Sequence, residues 1–178
     1  MNTTLIKATL LATTLMAWLP AQAALSNNEM AQAKAQIDAN FQTDKAGCAN
    51  MKGNTKDVCH EEAKAKEKVA RAELAFRHSG TMEDSRKLTT VKAETAYAVA
   101  KEKCDDWSGN AKDVCVKEAK AVEVKALADN EMGKAMGEAR REANDEKREA
   151  NYKVAAERCD AMAGEAKASC MATAKAHR

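Results

Sequence analysis

Apolar side chains in this chain fall into narrow stripes at helical spacing, separated by charged runs. Val58, Ala65, Val69, Ala72 and Phe76 step by 7, 4, 3 and 4, and Ala93, Tyr97, Ala100, Cys104 and Trp107 by 4, 3, 4 and 3. Val114, Ala121, Val124, Ala128 and Ala135 follow the same rule. Such spacing puts each set on one side of a helix, and stripes this narrow and this rich in alanine predict helices packed closely in the coiled-coil manner, with these faces turned inward. The fold class expected is all-α.

The cysteines organise the stripes. Cys48 to Cys59, Cys104 to Cys115 and Cys159 to Cys170 are each C-x10-C, and the units recur at 56 and 55 residues, an internal repeat. Gly53-Asn54-Thr55-Lys56-Asp57-Val58-Cys59 closely matches Gly109-Asn110-Ala111-Lys112-Asp113-Val114-Cys115, and Gly164-Glu165-Ala166-Lys167-Ala168-Ser169-Cys170 keeps Gly, Lys and Cys in register. Each unit reads as helix, tight turn, helix. The three glycines suit the left-handed position at a helix end, and Asn54 with Asp57, and Asn110 with Asp113, suit the cap of the next helix. In the first two units one cysteine lies five residues before the glycine and the other five after the asparagine, and the third unit keeps the same count. Antiparallel helices leaving such a turn carry the two cysteines at one height, within the ~5.5 Å between Cα atoms that a disulfide needs. Of the 15 pairings that six cysteines allow, this symmetry selects Cys48 with Cys59, Cys104 with Cys115 and Cys159 with Cys170.

Between units, Gly80 stops a helix and Thr81 with Asp84 starts another. Gly133 and Gly137 hold a similar place in the second interval, and the run from Glu138 to Asn151 is also able to continue as one solvated helix. The alternatives are a bundle of six helices and an elongated array with helices of about 45 residues, roughly 70 Å long. The cap signals favour the bundle, giving three repeats over about 24–78, 81–133 and 134–178.

Residues 1–23 read as a secretory signal peptide. Lys7 supplies the positive start, Ala8 to Leu19 the apolar stretch, and Pro20 with Ala21-Gln22-Ala23 the break and cleavage site. The apolar stretch is shorter than the ~20 residues a spanning helix needs, so no integral membrane span is expected after cleavage. Export to the periplasm, or secretion, places six cysteines in an oxidising compartment, where disulfides are their expected use. Lys and Arg number 29 against 27 Asp and Glu, with the signs interspersed; that balance gives no field for nucleic acid.

Candidate chemistry is sparse. His60, His78 and His177 lie on separate segments, and neither a nucleophile motif nor a phosphate loop is present, so no enzymatic activity is expected and no cofactor. Cys48, Met51, Cys59 and His60 form the one ligand set that would suit copper(I) or zinc, and Cys159, Met162, Cys170 and Met171 repeat part of it. Val116 stands where the second unit would need a histidine. Met132 and Met136 offer an adaptable surface for apolar or unfolded partners. The run Glu61-Glu62-Ala63-Lys64-Ala65-Lys66-Glu67-Lys68 resembles the long helical middle domain of the TolA family; that resemblance implies a helical protein of the cell envelope. The expected function is a non-enzymatic, disulfide-stapled interaction or structural protein whose partner is an envelope protein or itself. The alternative is a periplasmic metal-binding or chaperone-like protein.

Overall fold

The computed structural model describes residues 25–177, and the signal peptide expected over 1–23 lies outside them. Among the described residues there is no strand. The helices are α1 (Asn27–Gly47), α2 (Gly53–Ser79), α3 (Met82–Lys103), α4 (Gly109–Asp160) and α5 (Gly164–Ala176), with one 3-10 turn at Cys104–Asp106. Disulfides join Cys48 to Cys59, Cys104 to Cys115 and Cys159 to Cys170, with Cα atoms 5.8, 5.7 and 5.6 Å apart. They staple α1 to α2, α3 to α4 and α4 to α5.

One turn recurs at all three staples. The first cysteine lies at the C-terminal end of its helix, and its carbonyl accepts from the amide three residues on, Met51, Trp107 or Met162, at 3.0–3.1 Å. An extended residue follows, Lys52, Ser108 or Ala163, and then a glycine at φ +55°, +56° or +59° opens the next helix. The glycines therefore hold the left-handed conformation expected, at the start of the second helix rather than the end of the first. Asn54 and Asn110 do not cap, since no side chain caps α2, α4 or α5. The Asn54 amide instead donates to the carbonyl of Glu102 at 3.0 Å, tying the top of α2 to the end of α3. This explains why the third unit, without an asparagine, makes the same turn.

A Cβ built on Gly109 or Gly133 meets nothing within 4 Å, so only backbone strain separates their responses to alanine. Gly109→Ala forces an L residue into the left-handed region and is expected to cost about 1–2 kcal/mol. Gly133→Ala, inside α4, is expected to gain roughly 0.5–1 kcal/mol. Urea denaturation of the two variants checks the opposite signs.

Gly80 ends α2 at φ +63°, with its amide donating to Phe76 at 2.8 Å, and Thr81 caps α3 by accepting from the Asp84 amide at 3.1 Å. The Ser79 and Thr81 hydroxyls hold the Asp84 carboxyl below the usual carboxylate range. Ser26 and Glu29 form a reciprocal capping box at α1 that also lowers the Glu29 carboxyl. The second interval behaves differently. Gly133 and Gly137 stay helical and α4 runs uninterrupted for 52 residues, about 78 Å. The six-helix bundle is thereby corrected to five helices in an elongated array, because two glycines without a following cap cost less than breaking a helix.

Each helix packs chiefly on its neighbours in the chain: α2 lies between α1 and α3, and α4 lies against α3 and then α5. Open grooves flank the α2–α3 pair on both sides, one lined by Ala72, Ala75 and Val91 and the other by Val69, Ala96 and Val99. Hence the interior is thin. Leu74, Cys48, Cys104 and Cys159 are the largest fully buried side chains among the described residues.

Candidate interaction surface on α4

Each staple decides which helix face is buried. Four residues after the second cysteine come Ala63, Ala119 and Ala174, all buried or half-buried against the partner helix. On α4 the face set by Cys115 continues through Ala119, Glu123, Ala126 and Asn130 at steps of 4, 4, 3 and 4. Glu123 is buried there and takes the Lys120 ammonium; that ammonium also lies 4.8 Å from the Tyr97 ring centre. Asn130 closes the contact, donating to the carbonyl of Arg86 and to the Thr90 hydroxyl at 3.0 and 3.1 Å.

Val114 lies one residue before Cys115, about 100° round the helix, so its stripe turns away from α3. Val114, Ala121, Val124, Ala128 and Ala135 are all exposed, which corrects the expectation that this stripe is inward. Trp107, expected in a packed stripe, is 59% exposed on the turn. From Glu131 to Arg148 every residue except the half-buried Gly137 is exposed. Here α4 stands alone below α3 and above α5, and Met132 and Met136 are 58% and 66% exposed.

Ion pairs lace the rest. Lys112 reaches Asp105 at 2.9 Å and Lys167 reaches Asp160 at 2.8 Å, the same bridge across two turns, and it raises the Lys112 ammonium above its ordinary value. In the first unit Ala49 takes the place of the aspartate. Arg71 bonds Asp38 and Glu67, linking α2 to α1, while Lys92 to Glu73 and Lys103 to Glu62, at 2.8 and 2.7 Å, link α3 to α2.

The candidate metal ligands are placed differently from what their spacing suggests. Cys48 and Cys59 are bonded to each other, so neither offers a thiolate. Met51 lies exposed on the turn, and His60 lines an open groove with Phe41, Lys45 and Glu102. In the third unit Met162 lines a groove of about 510 Å³ with Tyr152, Thr173 and His177, beside the closed Cys159–Cys170 bond. No three His, Cys, Asp or Glu side chains are grouped to hold a metal among the described residues. His78 is structural: its Nδ1 donates to the Leu25 carbonyl at 3.0 Å, holding the start of α1 against the end of α2. Among the described residues no helix is long and apolar enough to cross a membrane.

These features define a disulfide-stapled array of antiparallel helical hairpins, one of whose edges carries an uncovered apolar face. Comparison with protein-family models, curated proteins and solved structures gave no match.

Proposed function

We propose that this chain is a non-enzymatic interaction or structural protein of the cell envelope, working in the periplasm, whose staples hold one long helix face out toward a protein partner. The observation that carries this reading is the outward stripe on α4, a helix stapled at both ends and left uncovered between. Three disulfides fit an oxidising compartment, and the Ala, Lys and Glu surface, like that of TolA-family middle domains, suits a spacer or docking rod. Stapling also lessens the ordering cost of binding, because the face is fixed before the partner arrives.

A photo-crosslinking residue placed at Met136 in intact cells is expected to give a discrete adduct recovered with the periplasmic fraction. The same residue at Arg141, about 140° round the same lone stretch of helix, is expected to give none. Absence of any adduct from Met136 would refute the interaction reading.

A further inference from the structure

The outward face of α4 has a symmetry that names its occupant. Twelve exposed positions run along it from Val114 to Val154 at an average step of about 3.6 residues, the helix's own period, so the stripe keeps to one side of α4. Their spacing is nearly mirror-symmetric about Lys134. When α4 is laid antiparallel on a copy of itself across that point, Val114 meets Val154, Glu118 meets Ala150 and Ala121 meets Lys147. Nearer the centre Lys125 meets Ala143, Ala128 meets Ala139, and Met132 meets Met136.

Every charged position in the stripe then opposes an alanine, over which its aliphatic stem can lie while the head reaches water. Along one flank Asp129 comes beside Arg140 of the second copy, and Glu118 lies within a turn of its Lys147. Parallel pairing does the reverse, setting Glu118, Lys125 and Lys147 each against itself, a repulsive arrangement. A two-fold axis requires that if residue i contacts residue j, then j contacts i, and this stripe meets that condition.

Both walls of the array leave room for it. α3 and α5 pack on the opposite side of α4, the side of Glu123 and Cys159. A strip about 60 Å long and about 10 Å wide covers on the order of 600 Å² per copy, at the lower edge of stable specific interfaces. The same register brings the Trp107 turn of one copy to the Met162 turn of the other; these residues are 59% and 46% exposed, and the thioether suits an aromatic edge.

From this geometry we infer that the protein is an antiparallel homodimer through α4, centred on Lys134. The inference rests on the interaction reading above and makes a second copy the partner.

The test is the mass of the full exported, disulfide-bonded chain by sedimentation at micromolar concentration, followed by carbodiimide crosslinking. The expected results are twice the chain mass and an amide bond between Glu118 and Lys147. Those residues stand about 43 Å apart along one helix, so the bond forms only between copies. Met132→Glu with Met136→Glu is expected to give a monomer of unchanged helicity, since both positions are exposed. Asp129→Arg or Arg140→Asp alone should weaken the dimer about tenfold, and the two together should restore it. A monomeric wild-type chain, or a dimer lacking the Glu118–Lys147 bond, overturns the inference. A monomer that still gives the Met136 adduct in cells leaves the interaction reading standing with a different partner. A monomer without that adduct removes both.

Discussion

Reducing all three disulfides is expected to unfold most of this chain at room temperature. Each closes a loop between cysteines 11 positions apart, and loop-closure entropy assigns such a cross-link roughly 2–3 kcal/mol. Three together amount to about 6–9 kcal/mol, against a net stability of about 5–15 kcal/mol for an ordinary domain. Little else compensates, because Leu74 is the only large aliphatic side chain fully buried among the described residues and the ion pairs are mostly exposed, where each contributes about 0–1 kcal/mol. α5, at 13 residues, is also near the length below which an isolated helix does not persist. Far-ultraviolet circular dichroism before and after reduction reads the result. A smaller lesion gives the local version: Cys159→Ser with Cys170→Ser is expected to release α5 alone, seen as lost amide protection over Gly164–Ala176 with α1 to α3 still protected. Unchanged helicity in the reduced chain would mean that helix packing, not stapling, holds the array.

The second large effect is expected at Leu74. It is 1% exposed in the C-terminal third of α2, and with Ala63 it forms the buried side of that helix. Leu74→Ala should cost about 2–5 kcal/mol through lost burial and the space left behind. In a chain with so thin an interior, that loss should be the largest of any single aliphatic truncation. Val122→Ala removes a side chain 68% exposed and should shift stability by less than about 0.5 kcal/mol. Urea midpoints of the two variants separate them.

Much of the architecture was legible because the cysteines carry it. Their equal distances from a turn specify antiparallel helices and a local pairing before any side-chain contact is known, and the Gly80-Thr81 break carries both a stop and a start signal. The turn mechanism was less legible. Asn54 looks like a cap in sequence, yet its amide is drawn to Glu102, 48 residues away, a partner no local spacing announces. The capping box at Ser26 and Glu29 carries an S-x-x-E signal just past the expected cleavage site, and it marks the start of α1.

The largest departure from the sequence pattern is on α4. Its sequence carries two stripes, and hydrophobicity alone turns the one through Val114, with more valine, inward. The disulfide at Cys115 overrides hydrophobicity by fixing which side of the helix meets α3, burying even Glu123 on that side and leaving the valines outside. A covalent constraint therefore outranks periodicity wherever both act on one helix. Continuity through Gly133 and Gly137 follows the same kind of weighing: a glycine inside a helix costs about 1 kcal/mol, and neither is followed by a residue that caps a restart.

The staples underlie every part of this account, so the most direct measurement is the cysteine pairing of protein recovered from an oxidising compartment, by peptide mass mapping without reduction. The expected result is three linked peptide pairs, Cys48 with Cys59, Cys104 with Cys115 and Cys159 with Cys170, and no free thiol. Free thiols, or a bond between cysteines of different units, would contradict it.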